Sequence, residues 1–317
     1  MKNIYSNIFS FNKKTLNKTV KALNQGNVAA LPTETVYGLA GNAYLKNSVD
    51  KIYKLKKRPK QNPLIIHYYD YKQVLNDVEI NDNFKKLYRK FCPGPITFVL
   101  KRKLKSKIHP TASANLNSVA IRFPKHKIIR SILKKIKYPL AMPSANISSN
   151  VSPVCALDVF EEFKKRINLI INGGKCKIGI ESTVVDLSSK PRILRPGIIE
   201  TYRIEKVLKS KINTYISNSK IKSPGMLKKH YSPGIPVFIN QKRTDNQSAF
   251  IYIGKKYKNN KKFFSLSKNS NLNEAASNLY KTFRKIKKKG YKKIQIAVIP
   301  NKGIGIAIND RIKRAAS

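Results

Sequence analysis

Short runs of residues that are largely apolar on both faces constrain this chain more than any other feature. "PLIIHY", "PITFVLKR", "SVAIRF", "INLIIN" and "STVVDLS" are too short for helices and present little polar face. They suit strands covered on both sides. "NVAAL" and "RILRPG" extend the set, and helical stretches lie between them. Leu16, Val20 and Leu23 recur at helical spacing before Gly26. "NSVDKIYKLKKRP" carries Val49, Ile52, Tyr53 and Leu55, with Asn47 or Ser48 as expected cap and Pro59 as stop. A further helix is expected near "KHKIIRSILKKI". Strands alternating with helices predict an α/β domain built on a mixed sheet.

The pattern changes after about Leu208. "KSKINTYISNSKIKSPGMLKKHYSPGIP" has few apolar residues and gathers its prolines and glycines in its second half, so 209–235 reads as a linker after a first domain of 1–208. A smaller α/β unit, 236–317, follows with strands at "VFI", "AFIYIG" and "KKIQIAVIP". Its amphipathic helix, "NEAASNLYKTFRKIKKKG", has Ala276, Leu279, Tyr280, Phe283 and Ile286 on one side. "INDRIKRAAS" is expected to close the chain as a short helix capped by Asn309. A unit this small would barely hold its own core.

The net charge of +49 comes from 65 Lys+Arg against 16 Asp+Glu. A nucleic-acid partner is one reading. Biased genome composition is favoured, because Lys, Asn and Ile are all abundant and the lysines are spread along the whole chain. Non-specific, salt-sensitive binding of polyanions follows either way. Cys92, Cys155 and Cys176 are scattered and form no metal or disulfide pattern, which suits a reducing, cytoplasmic setting. No apolar run is long enough to cross a bilayer, and "MKNIYSNIFSFNKK" lacks a signal-peptide segment.

Polar islands stand at the strand edges. "LPTETVYGLA" packs Thr33, Glu34 and Thr35 between apolar neighbours. "KLKKRPKQNPLIIH" offers Lys56, Arg58, Asn62 and His67; "NSVAIRFP" offers Ser118 and Arg122. "AMPSANISSNVSP" offers Ser144, Asn146 and Ser152, "GIESTVVD" offers Glu181, Ser182 and Thr183, and "RILRPG" offers Arg192 and Arg195. In so lysine-rich a chain Lys56 reads first as a solvated helix end, whereas Arg122 in an apolar strand must be paired, and an anionic ligand is one natural partner. No phosphate loop, nucleophile elbow, zinc motif or dinucleotide fingerprint is present. Hydroxyls, amides and cations remain, an inventory for holding a phosphorylated ligand and a small polar one, with catalysis by positioning and charge.

These islands, in this order and rough spacing, resemble the threonylcarbamoyl-AMP synthases over about residues 13 to 200, and "SPGMLKKHYSPGIPV" and "GIGIAINDRIKRAA" resemble the linker and chain end of that family's two-domain form. The resemblance implies an open, twisted YrdC-like sheet with a positively charged concave face, and a small Rossmann-like second domain. It implies synthesis of L-threonylcarbamoyl-AMP and pyrophosphate from L-threonine, bicarbonate and ATP, with Mg²⁺. Downstream transferase proteins would then modify adenosine 37 of tRNA. By the same resemblance Thr35, His67, Arg122 and Ser182 contact threonine. Lys56 and Arg58 bind phosphate. Asn62, Ser118, Ser144, Asn146, Ser152 and Arg195 lie on the ATP side, with His230 or Tyr231 reaching the nucleotide from a linker that folds over the site as a lid. On this view a ligand satisfies part of the hydrogen bonding of Thr33, Glu34 and Thr35. Lys57 and Asn150 stand where glycine is common, the first expected beside the phosphate site and the second a mild change, since Asn tolerates φ > 0 better than most residues. A non-enzymatic RNA-binding protein using the same basic face is the rival; tRNA or double-stranded RNA is expected to bind weakly.

Overall fold

The computed structural model describes residues 5–214, 230–242, 244–245, 247–255, 257 and 261–317. Its larger sheet contains, among the described residues, β1 (Ile8–Ser10), β2 (Ala29–Leu31), β3 (Gly38–Asn42), β4 (Ile65–His67), β5 (Ile96–Lys101), β6 (Ser118–Arg122), β7 (Leu140–Ala141), β8 (Ile170–Asn172), β9 (Thr183–Asp186), β10 (Arg192–Arg195) and β11 (Asn213–Thr214). Their spatial order is β1-β8-β2-β3-β7-β4-β6-β5-β9-β10-β11. β4 pairs parallel with β6, and β5 with β9, while β2–β3, β5–β6 and β9–β10 are antiparallel, so the sheet is mixed, as its sequence pattern implies. The second sheet holds β12 (Val237–Phe238), β13 (Ser248–Tyr252), β14 (Phe263–Ser265) and β15 (Lys293–Ile296), in the order β12-β15-β13-β14 and all parallel.

Period-two alternation places the site. Phe98, Ile121 and Val185 point into the main core beneath the sheet. Their neighbours Val99, Ala120 and Val184 point to the other face, where with Ile65 and Leu194 they form a small apolar patch. His67, Thr97 and Arg122 share that second face by alternation. Strand register sets His67 beside Arg122, and Arg122 beside Thr97, as one row across three strands.

Asn12 makes a capping box with Thr15 at helix α1 (Lys13–Asn24). Helix α2 (Lys46–Lys56) differs from expectation. Its cap position is Leu45, with no side-chain bond, and Ser48 lies inside the helix, accepting a hydrogen bond from Asn42 N at 2.9 Å. The C-terminal helix is longer than "INDRIKRAAS" and spans Gly305–Ala316, so Asn309 sits within it. Its Nδ2 donates to Ile299 O at 3.1 Å. The main core also runs on without a break from Phe98 to Leu279, Phe283 and Ile308, so the second unit shares a core with the first.

Candidate active site

The cavity beside the His67–Arg122–Thr97 row is bounded by Thr33, Arg58, Ser144, Glu181, Arg195 and Tyr231, with His67, Arg122 and His230 also in its wall. Gly38 lets the chain pass the floor closely, since a Cβ there would lie 2.5 Å from Met142 Cγ.

The opening island is tied internally. Thr33 Oγ1 donates to Val36 O at 2.6 Å and lies 2.8 Å from Thr35 Oγ1. Glu34 accepts from Arg122 at 2.7 Å and from the Lys125 N–H at 3.0 Å. Arg122 also donates to Thr35 Oγ1 at 2.9 Å. Of the anions Arg122 could pair with, the fold supplies one from within the protein, Glu34. Burial pushes the Glu34 carboxyl up, but Arg122 and the backbone donors outweigh it and leave it lowered. Arg122 Nε has no partner among the described residues.

His67 is buried, with Nδ1 3.2 Å from the Ile65 carbonyl. A carbonyl can only accept, so Nδ1 carries the proton in this contact. Burial and the neighbouring Arg122 hold the ring well below its ordinary pKa, which leaves it neutral with Nε2 as an acceptor. That atom has no partner among the described residues.

Lys56 is not a solvated helix end. It is 1% exposed, and Nζ donates to the carbonyls of Ser144 and Asn146. Burial, and then the Arg58 charge, hold its pKa well below the ordinary value. Arg58 donates from Nε to Asn62 O at 2.9 Å and from a terminal nitrogen to Pro63 O at 2.8 Å, and burial lowers its pKa to about 10. Arg195 donates to Ser182 O at 3.1 Å, and Ser182 Oγ lies 2.7 Å from Thr97 Oγ1. Cations held out of water in this way favour an anionic ligand that restores their lost solvation.

His230 and Tyr231 close the wall. His230 N donates to Arg314 O at 3.0 Å, and Ser232 N to Ser149 O at 2.8 Å, so the returning chain is fastened to both domains. Tyr231 is fully buried, with φ 65, and its ring stacks on Tyr280 at 5.6 Å. The cavity is narrow, with about 40 Å³ of space, far below the several hundred Å³ typical of a ligand pocket, roughly 300–1,000 Å³.

A family model described as telomere recombination matches residues 21–197, and one described as threonylcarbamoyl-AMP synthase, C-terminal domain, matches 199–317. The threonylcarbamoyl-AMP synthase of Pyrococcus abyssi is 35% identical over 93% of this chain and 92% of its own length. This chain belongs to the threonylcarbamoyl-AMP synthase family. The Bacillus subtilis synthase is 33% identical over 97% of this chain and 94% of its own. The crystal structure of the P. abyssi protein complexed with L-threonine superposes with a TM-score of 0.90 at 32% identity, covering 98% of this chain and 97% of that one. The protein is thus an enzyme of the nucleotidyltransferase type.

Of the residues expected from this synthase's sequence, Arg58, His67, Arg122, Ser144, Arg195, His230 and Tyr231 line the cavity. Thr35, Asn62, Ser152 and Ser182 stand behind it, bonded to Arg122, Arg58, Glu181 and Arg195 respectively. Asn146 Nδ2 donates to Asn150 O at 2.9 Å and braces the loop that Lys56 grips. Ser118 begins β6, four residues before Arg122, so it lies about 13 Å along the strand from that row. Lys57 is exposed and takes the left-handed conformation, φ 49, that glycine would fill. In the other departure it is Ser149, φ 71, that has the positive φ, not Asn150. Sequence reasoning missed Glu181, Tyr280 and Arg311 as parts of the site. Glu181 lies in the polar island "GIESTVVD", whereas the other two lie in the second domain with no local signal.

Proposed function

We propose that this chain makes L-threonylcarbamoyl-AMP from L-threonine, bicarbonate and ATP, releasing pyrophosphate. The observation that supports it best is a cation-rich cavity in which His67 Nε2, Arg122 Nε and the Tyr231 hydroxyl are buried without partners among the described residues. Buried polar atoms left without a protein partner take one from ordered water or a ligand, and these three face the same cavity or its wall. Arg122 Nε suits the threonine carboxylate, and the His67 Nε2 acceptor suits its amine or hydroxyl. The amine and bicarbonate form a carbamate with loss of water. A carbamate oxygen attacks the α-phosphorus of ATP, and the bond to pyrophosphate breaks. No protein nucleophile is needed. Arg58 and Arg195, with Lys56 behind them, balance charge on the phosphates as it shifts to the leaving group.

Mg²⁺ arrives as the counterion of ATP. No group of three metal-binding side chains occurs among the described residues, and Glu34 and Glu181 already face arginines. Phosphate oxygens and water are then its principal ligands. The cavity, about 40 Å³, must widen for ATP to enter, and His230 and Tyr231 are the wall elements that would move, as a lid that excludes water during reaction. The product passes to transferase proteins acting on tRNA adenosine 37. No helix among the described residues is long and apolar enough to cross a membrane.

Pyrophosphate release by the full chain should require L-threonine and bicarbonate together. Release that neither compound stimulates would remove this reading. In the same assay Arg58→Ala should raise the ATP requirement by about 10- to 100-fold, the worth of one charged hydrogen-bonding group, while Lys57→Ala changes it little.

A further inference from the structure

The second domain reaches the cavity wall through two side chains that the reaction scheme above does not use, Tyr280 and Arg311, and only Arg311 carries charge. Arg311, on the helix Gly305–Ala316, is fully buried. Its Nε donates to Glu181 Oε2 at 2.9 Å, and one terminal nitrogen donates to Pro196 O at 2.9 Å and to Asp310 at 2.8 Å. Its guanidinium also lies over the Tyr231 ring, 5.3 Å from the centroid. Glu181 accepts in addition from Ser152 Oγ at 2.6 Å and from the Tyr280 hydroxyl at 2.9 Å. Three sections of the cavity wall thus meet at one guanidinium: the strand entry at Glu181, the turn after Arg195, and the returning chain at Tyr231.

Electrostatics give this junction a consequence. Glu181 lines the cavity among the residues assigned to ATP, and a bare carboxylate there would repel phosphates. Burial pushes Glu181 up, but Arg311 first and Arg195 next draw it down to about 2, so it stays charged and needs a counter-ion. If Arg195 had to serve as that counter-ion, less of its charge would face ATP.

We propose that Arg311 is a positioning residue of the synthase site, contributed by the second domain: it neutralises Glu181 so that Arg195 and Arg58 can face the ATP phosphates, and it seats Tyr231 in the cavity wall. This rests on the synthase reading for the identity of the nucleotide. ATP binding, measured directly on the full chain by calorimetry with Mg²⁺, therefore tests it separately from turnover.

Arg311→Gln should weaken ATP binding about tenfold or more, because it leaves Glu181 charged and unpaired, whereas Glu181→Gln in the same chain should return most of that affinity by removing the charge. Arg311→Lys, which keeps the charge without the fork, should fall between. A purely structural Arg311 predicts that the loss and recovery of ATP affinity simply follow urea stability in the single and double variants, whereas charge repulsion at Glu181 predicts an affinity loss that persists in Arg311→Gln under conditions where the folded fraction is complete. Affinity that only follows stability, or an Arg311→Gln protein binding ATP like the wild type, overturns the proposal. If Arg311→Gln does not fold, Arg311→Lys against Arg311→Lys with Glu181→Gln makes the same comparison. Wild-type ATP binding without threonine-dependent pyrophosphate release would count against the synthase reading and leave this test intact.

Discussion

Two buried Glu–Arg pairs flank the cavity, and they differ in what they join. Glu34–Arg122 lies within the first domain, at 2.7 Å, linking the loop after β2 to the end of β6. Glu181–Arg311, at 2.9 Å, joins that domain to the C-terminal helix of the second. The first pair has auxiliary bonds on the carboxylate side from backbone N–H groups of Lys125 and His126, so neighbouring chain fixes its geometry. The second draws its extra bonds from Ser152 and from Tyr280, one on each domain. A pair closed within one domain takes its geometry from the chain around it. A pair that spans two makes the shape of the site depend on how the domains dock.

The largest expected effect comes from breaking the first pair on one side. Arg122→Ala leaves Glu34 buried without its cation and should cost about 3–5 kcal/mol of folding stability. Urea unfolding at neutral pH measures it. Replacing Glu34 and Arg122 together by Gln and Met should recover much of that loss while leaving threonine binding impaired. A single variant as stable as the wild type would show that Lys125 and His126 alone satisfy Glu34, and the contrast between the pairs would disappear.

Acid sharpens the comparison at a smaller scale. Both carboxyls sit below their ordinary value in the folded protein. A depressed carboxylate contributes stability that is complete above its unfolded pKa and is lost as pH falls through the folded one. For Glu181 that window runs from 4.5 down to about 2. The whole of it corresponds to about 3 kcal/mol, with roughly half gone by the middle of the window. Glu181→Gln should flatten this part of the stability curve in urea titrations between the two limits. An unchanged slope would mean the carboxylate exchanges its partners for water as easily as an exposed one.

How much of this was legible in the sequence follows from where each signal lies. The islands were readable because each is local: Thr33 to Thr35, Lys56 to Asn62 and Ser144 to Ser152 stand together along the chain. β4, β5, β6, β8, β9 and β10 were readable because their apolar runs are short and pure. β3 was not, since "GLAGN" has too little side chain to show a pattern. Helix 82–91 was not, because its buried Phe84, Leu87 and Phe91 are interspersed with Lys, Asn and Arg. Arg122 was recognised as needing a partner, but Glu34 is 88 residues away, and only the fold brings them together. Arg311 was one cation among 65 Lys+Arg, and nothing local distinguishes a buried arginine from a solvated one.

The smallest expected effect is at Lys57, which touches neither pair. It is exposed at the end of α2 and holds φ 49, ψ 42, a conformation that crowds the Cβ of any L-residue against its own carbonyl. Its N–H closes the helix on Lys54 O at 3.2 Å, and the following N–H of Arg58 reaches Tyr53 O at 3.0 Å. Both bonds depend on the backbone alone, so Lys57→Gly keeps them and removes the crowding. It should stabilise the fold by about 0.5–1 kcal/mol, net of glycine's greater freedom when unfolded. Since Arg58 is fixed by Asn62 and Pro63 and not by Lys57, the ATP requirement should stay within about twofold of the wild type, the scale of a surface change away from bonded groups. Thermal unfolding and pyrophosphate kinetics on one preparation decide it. A stabilised protein with unchanged kinetics assigns Lys57 to the helix end. A severalfold loss of ATP affinity would instead place its charge in the phosphate field, and the site would then depend on a solvated cation as well as on buried ones.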